Sequence, residues 1–418
     1  MPARAIRTFG RFRSCTTRQE LAIANQAFTL MAVHARLLLI LAFVAFVSLG
    51  LPDGLIGVAW PSMRQSFGLP LDALGSLFVS TTLGYVTASF LSGAILRRIR
   101  LGTLLALSCA ATAAALIVYS TAATWAIVVA AGVVAGLGAG AIDSALNTFA
   151  AHNYSARTVN MLHAFYGFGT TIGPALMTAV LLSNAGWQRG YLIVGVAQLF
   201  LAAGFVASRH LWPPESGNAD TQGAPPSLTA TLQLRATLLS AVVFILYCGL
   251  EASTGAWLYT LLHEGRNVRT GAAGAAVSLF WGSLMAARVV FGLVPAHEPL
   301  SRWLFAAMSA SLLAALGLSL GSHHGVSIAA GALIGFACGP IFPWLIAETP
   351  RRLGVRHGAN AIGIQIASAA IGLSVAPALV GALAERHGVN AIPHGLAALA
   401  VLLLLAFGAL ERCGSAPR

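Results

Sequence analysis

Gly50-Leu51-Pro52-Asp53-Gly54 lies inside an apolar run from Leu37 to Trp60, and Gly249-Leu250-Glu251 lies inside a second run from Ala236 to Leu262. Each run carries one carboxylate, and the two are 198 residues apart. An acidic side chain within a membrane span is costly, and so marks a functional site by default. One at the same place in two copies of a pattern points to a duplicated membrane protein with its working site between the copies.

Composition agrees. The chain is 57% hydrophobic and 9% charged over 418 residues, whereas a soluble domain is about 25% charged. A membrane span needs about 20 apolar residues, and twelve such stretches are predicted: 37–60, 72–96, 101–119, 125–150, 159–182, 190–208, 236–262, 271–294, 303–320, 325–347, 359–383 and 393–410. The formal charge of +12 comes entirely from arginine, with no lysine in the chain. With both termini placed inside, the inner segments hold 18 arginines and the outer loops five (Arg64, Arg189, Arg266, Arg269, Arg386). That asymmetry satisfies the positive-inside rule and predicts cytoplasmic termini. A nucleic-acid partner is not needed to explain the charge. Arginine-only usage hints at a GC-rich bacterial source, which makes the inner (cytoplasmic) membrane the expected location.

Residues 1–35 read as a basic N-terminal tail, with five arginines and one acid in the first thirty. The readings open for it are a disordered tail, an upstream extension ahead of Met31, or an arm on anionic lipid. The five cysteines are scattered without a CxxC pair, so no disulfide framework or metal site is implied.

The halves match at a nearly constant offset. Asp53 pairs with Glu251, Gly75 with Gly274, Gly93 with Gly292, and Gly173-Pro174-Ala175-Leu176 with Ala376-Pro377-Ala378-Leu379. The predicted fold is therefore an all-α membrane protein of two pseudo-symmetric six-helix bundles, 36–208 and 236–411. A cytoplasmic linker at 209–235, rich in Pro, Ser and Gly, joins them, and 412–418 form a short tail. Gly132-Val-Val-Ala-Gly136-Leu-Gly138-Ala-Gly140 reads equally as helix packing or as a sliding surface.

Proline and glycine around Asp53 predict a local break at Leu51–Gly54, and broken helices line transporter cavities. At 1.5 Å per residue Asp53 is expected roughly 24 Å from the inner end of its span, on the outer side of the midplane. Glu251 has Tyr247 one turn before it and Trp257 beyond it, aromatics that suit an amphipathic ligand or a sugar face. A carboxylate withdrawn from water holds a proton more readily, as a proton carrier requires. Asp143 and Asn147, at i and i+4, share a helix face. With His163 at similar depth, Asp143 reads as a proton relay, a gate latch or a fixed salt bridge. Arg288, deep in the eighth span, must find a carboxylate or carbonyl. Trp281, Trp344, Asn360 and Gln365 are cavity candidates, with ordinary packing as the alternative. Glu348 with Arg352 reads as a structural i, i+4 pair. The chain has no Walker loop, metal-spaced His or Cys cluster, or nucleophile elbow, which argues against an enzyme and against ATP drive.

These residues resemble the major facilitator superfamily, and within it the fucose–proton symporter-like (sugar permease) branch. The resemblance rests on Gly50-Leu-Pro-Asp53-Gly, Gly140-Ala-Ile-Asp143-Ser-Ala-Leu-Asn147, Asn160-Met-Leu-His163-Ala-Phe-Tyr-Gly167, Gly249-Leu-Glu251 through Gly255-Ala-Trp257, and Phe280-Trp281-Gly-Ser-Leu284. It implies that Asp53 and Asp143 serve proton coupling and sugar uptake. Two stretches depart from it. Arg97 stands where the superfamily's loop between spans two and three carries an acid, and Gly169-Thr-Thr-Ile-Gly173-Pro174 is similar to the core of an efflux-antiporter motif.

The expected function is secondary transport of a small polar solute, with a monosaccharide favoured, by alternating access and proton symport. Proton-driven efflux of drugs or metabolites is the alternative, and a transporter-like receptor a third reading. Asp53, Asp143, Glu251 and His163 are the proton-coupling candidates. Asn147, Tyr247, Trp257, Trp281 and Gln365 are the substrate candidates. The expected partners are the small-molecule substrate, the proton and the lipid bilayer, with the protein a monomer and without a cofactor.

Overall fold

The computed structural model describes residues 18–212, 227–292, 300–320 and 323–414. Most of the expected linker (213–226), the first part of the expected tail (1–17) and residues 415–418 lie outside the described residues. Within them the chain is helical and forms twelve helices long and apolar enough to cross a membrane. The first six are Arg18–Phe67, Leu74–Leu96, Leu101–Thr121, Trp125–Asn153, Ala156–Leu182 and Trp187–Ser208. The second six are Arg235–Thr260, Thr270–Phe291, Leu300–Leu320, a tenth in two pieces (His324–Cys338 and Ile341–Leu353), Val355–His387 and Ile392–Gly414. Short connections between such long helices force successive spans to run antiparallel. We call the face on which the first span starts the N-side, and the opposite face the far side. The first helix begins at Arg18, inside the stretch read as a tail, and ends seven residues beyond the expected Trp60. A helical turn at Leu228–Leu232 leads into the second half, and its Thr231 hydroxyl meets His357 Nδ1 of the eleventh span at 2.9 Å.

Glycine sets how closely these helices approach. Gly136 and Gly140 of the fourth span lie against the Thr81 and Tyr85 carbonyls of the second, and Gly84 lies against Val133 in return. Gly138 faces Ser108 and Thr112 of the third span. The glycine run at 132–140 therefore packs within its own half. Across the seam, Gly75 of the second span lies on Ala378 of the eleventh, and Gly274 of the eighth lies on Thr178 of the fifth. The two glycines matched by the internal repeat thus make equivalent contacts in opposite halves.

The expected break at Leu51–Gly54 is absent, and the first helix runs through Pro52 and Pro61. Pro52 has no N–H to give Ser48, one turn back, and Gln198 Nε2 of the sixth span donates to that carbonyl at 3.0 Å instead. Gly50 and Gly54 flank this turn because the fifth span crosses there. Gly50 meets the Tyr166 carbonyl and Thr170 N, and Gly54 meets the Thr170 carbonyl and the Pro174 ring. A discontinuity occurs instead at Gly339-Pro340 in the tenth span, where Gly339 lies on Ala287 and the Leu284 carbonyl of the eighth. The depth of Asp53 also changes. With the first span reaching Phe67, Asp53 lies about 21 Å from its far end by helix rise, near the middle of the membrane-length segment Val33–Phe67.

Contacts between the halves concentrate in the middle and on the far side. Arg64 Nη2 bonds both oxygens of Glu264 at 3.1 and 2.9 Å, joining the far ends of the first and seventh spans. The Leu71 backbone N–H donates to Glu385 of the eleventh span at 2.6 Å. Gly57 meets the Gly255 carbonyl, and Gly167 meets Met285. The N-side ends of the fourth and fifth spans do not pack extensively against the tenth or eleventh. The halves therefore close on the far side and part towards the N-side.

Candidate functional site

Acidic, basic and phenolic side chains converge where the seam begins to open. Asp53 is exposed although Gly54 and Leu55 beside it are buried, which places its carboxylate on the opening between the halves. Its Oδ2 accepts from the Tyr166 hydroxyl at 2.7 Å. The close glycine contacts between the first and fifth spans bring these two side chains into register.

Asp143 is held by two donors. Tyr85 of the second span donates to Oδ2 at 2.5 Å, and Asn147 Nδ2 donates to Oδ1 at 2.9 Å, one turn along the same helix. Gly140, packed on the Tyr85 backbone, fixes the approach that makes the first bond possible. Asp143 lies within electrostatic reach of both Asp53 and His163. His163 is exposed, with the Phe46 ring at 5.3 Å edge-on, and makes no ion pair among the described residues. The fixed Asp143–His163 salt bridge considered from sequence is therefore not formed here.

Glu251 sits on the second half and is buried, at 8% exposure. Tyr247 donates a hydrogen bond to its Oε2, and Arg288 Nη2 reaches the same oxygen at 3.5 Å. Arg288 thus finds the carboxylate its depth requires, and it also engages Tyr247. Tyr166, bonded to Asp53 in its own half, lies within electrostatic reach of Glu251 and Arg288 of the other. Three carboxylates and one guanidinium leave the cluster net negative when all are ionised.

The remaining sequence candidates separate from this cluster. Trp257 is fully buried, its indole N–H bonded to the Pro377 carbonyl at 2.9 Å and its ring covered by Gly381. Gln365 is buried between Ser240 and Thr349, at 2.5 and 2.9 Å. Both are accounted for as packing within the second half. Trp281 is buried against Gly255 with no partner for its Nε1 among the described residues, and Trp344 stacks with Phe291 and Trp303. Asn360 reaches Thr231 at 3.3 Å. Glu348 pairs with Arg351 at 2.8 Å and Arg352 at 3.9 Å, and Arg352 extends the network to Glu411 at 2.5 Å. Gly169 and Gly173, from the efflux-like stretch, lie on Val47, Leu51 and Gly54, so packing explains them. A separate groove of about 580 Å³, lined by Gly75, Val79, Leu83 and Ala378 among others, shares no residue with the cluster.

Sequence reasoning missed Tyr85 and the Arg64–Glu264 bridge. Tyr85 carries no motif. The bridge did leave a signal, because Arg64 and Glu264 are 200 residues apart, close to the offset of the internal repeat.

Twelve antiparallel spans in two matched halves, with buried charge at their seam, define a membrane transporter. The chain belongs to the Major Facilitator Superfamily, whose family profile matches residues 38–364. Bypass of stop codon protein 6 of Saccharomyces cerevisiae is 22% identical over 393 residues, 86% of this chain and 79% of that one. The glucose/mannose transporter GlcP of Bacillus subtilis is 20% identical over 310 residues, 72% and 77% of the respective chains. Among solved structures, a variant of the nucleoside transporter NupG superposes with a TM-score of 0.76 at 13% identity, covering 88% of this chain and 98% of that one. A bacterial homologue of the lysosomal transporter Spinster, inward-facing and occupied, gives a TM-score of 0.71 at 12% identity, covering 91% and 97%. These structural likenesses establish the fold. As a member of this superfamily the chain is a multi-pass membrane transporter for a small molecule, not an enzyme.

Proposed function

We propose that this transporter imports a small neutral polar solute, a monosaccharide in the favoured reading, by proton symport and alternating access. The observation that carries the reading is the charged cluster at the seam. Asp53 faces the opening and Asp143 lies within its field, so neutralising either by a proton changes the charge that solute meets. Their tyrosine and asparagine partners keep both carboxylates hydrogen-bonded when charged, which lowers the cost of holding them inside the membrane. Similarity to a glucose/mannose transporter supports the sugar class. The arginine bias of the N-side supports placing that face in the cytoplasm, so that the conformation described is inward-open. A monomer in the inner membrane, with its two bundles at 36–208 and 236–411, completes the proposal.

The test uses purified protein in liposomes with an inside-alkaline gradient and an internal pH dye. A sugar of the panel should trigger proton entry, and Asp53→Asn should abolish it while the protein stays inserted. Glu251→Gln should also lose uphill transport and retain passive exchange. Normal concentrative uptake by both variants would remove the assignment. Silence of the wild type towards every sugar, with proton release driven by amphipathic cations, would instead establish efflux.

A further inference from the structure

We infer that Tyr166 is a solute-contacting residue that reports the proton on Asp53. Its hydroxyl offers the solute an acceptor while Asp53 is charged and a donor once Asp53 is protonated. The inference rests on the symport reading above and names the group through which proton and solute meet.

Each carboxylate of the cluster accepts from a tyrosine hydroxyl: Asp53 from Tyr166, Asp143 from Tyr85 and Glu251 from Tyr247. The three pairs differ in what else holds them. Asp143 has Asn147 as a second donor at 2.9 Å, and its bond to Tyr85 is partly buried. Glu251 has Arg288 on the same oxygen, and its pair is buried. Asp53 has no donor but Tyr166 among the described residues, and their bond lies exposed at the opening. Of the three pairs, this one is free to rearrange and placed where a solute can touch it. The fifth span also meets the second half here, since Gly167, the next residue, lies on Met285 of the eighth span. A solute entering between the halves at this point meets the Tyr166 phenol.

An ionised carboxylate only accepts, a protonated one also donates, and a phenol does both. While Asp53 is charged, the Tyr166 hydroxyl proton is committed to Oδ2, and only the phenol oxygen is left for a solute. When a proton binds Asp53, the new carboxyl O–H donates to that oxygen and the phenol proton turns to the solute. Tyr166 itself gains and loses no proton. A solute oxygen that needs a donor is therefore held more tightly by the protonated transporter, as symport requires. The charged and titratable groups around the pair are Asp143 of the fourth span, Tyr85 of the second, His163 of the fifth, and Glu251 and Arg288 of the second half. Because several of these titrate themselves, the test compares variants instead of relying on one pH curve.

The experiment measures KM for equilibrium exchange of labelled glucose, mannose, galactose and uridine in liposomes with equal pH on both sides, at about pH 5 and about pH 9. For the compound that exchanges, the wild-type KM should be about two- to tenfold lower at the acid pH, the worth of one hydrogen bond. Asp53→Asn, whose amide donates to the phenol at any pH, should show the low KM at both. Tyr166→Phe should show the high KM at both, and the double variant should match Tyr166→Phe. A merely structural tyrosine would change the rate, or both KM values together, and leave their ratio intact. That intact ratio would overturn the inference, and so would a double variant that keeps the low KM of Asp53→Asn. If Tyr166→Phe fails to insert, 3-fluorotyrosine placed at this position alone decides. Its hydroxyl is a stronger donor and should widen the ratio, whereas an unchanged ratio would again overturn the inference. Exchange of none of the four compounds by the wild type would instead remove the symport reading itself, and this inference with it.

Discussion

Gln198 shows how much one side chain can carry in this molecule. Its amide closes the gap that Pro52 leaves on Ser48, in a buried position where water cannot substitute. Gln198→Leu should therefore leave a buried carbonyl unpaired and cost about 1–3 kcal/mol. A lowered midpoint in thermal unfolding of the detergent-solubilised protein would show it, and an unchanged midpoint would contradict it. Tyr85 makes the same argument at the site. Tyr85→Phe removes one of two hydrogen bonds from Asp143, and bonds to a charged group are worth about 1.5–3 kcal/mol. The expected result is a tenfold or greater loss of proton-coupled uptake with insertion unchanged. Asp53, Asp143 and Glu251 were legible in the sequence because a carboxylate in an apolar run stands out. Tyr85 and Tyr166 did not, since a tyrosine in a span reads as packing until its partner is located. Trp257 drew attention by its closeness in sequence to Glu251, yet its side chain leaves the helix towards Pro377.

At the scale of the helix, glycine and proline misled where they were read locally and informed where they were read by repeat. The break predicted at Leu51–Gly54 is unbroken helix because a neighbouring backbone fills the space that Gly50 and Gly54 leave. Nothing local to those residues states that a fifth span will cross there. The interruption at Gly339-Pro340 falls inside the apolar run 325–347, whose hydropathy alone predicts one unbroken span. The matched positions Gly75 and Gly274 fared better, since a repeat records tertiary equivalence. Gly136→Leu should prevent the fourth span from reaching Thr81 and so displace Asp143 from Tyr85. The mutant should insert poorly or unfold at markedly lower temperature. Gly93→Ala, at a glycine with no neighbour within contact distance, should be tolerated in the same assay.

For the molecule as a whole, the two halves and their count of spans were legible from hydropathy and the offset, whereas the closed far side was not. That closure depends on which rim residues meet in one conformation. Arg64–Glu264 is partly exposed, at 29% and 25% of the side chains, and such pairs contribute about 0.2–1 kcal/mol. Removing it by Glu264→Gln should shift the population towards far-side opening by a factor of about 1.4–5. Accessibility of a cysteine introduced at Thr178, buried against Gly274 across the seam and close to cysteine in size, to a membrane-impermeant thiol reagent from that side reports the shift. The exchanged pair Arg64→Glu with Glu264→Arg should restore the closed population, and failure to do so would show that the bridge is not the latch.

Besides its rim bonds, the far-side closure includes two close approaches by glycine, Gly57 on the Gly255 carbonyl and Gly75 on Ala378. Glycine and alanine have no rotamers to freeze, so each shutting of the seam forgoes the loss of about 0.5–2 kcal/mol that a longer side chain would incur. A machine that must close and reopen on every turnover gains speed from a joint with so little to order. The same joint resists being tightened, because any larger residue that strengthened it would also slow its release.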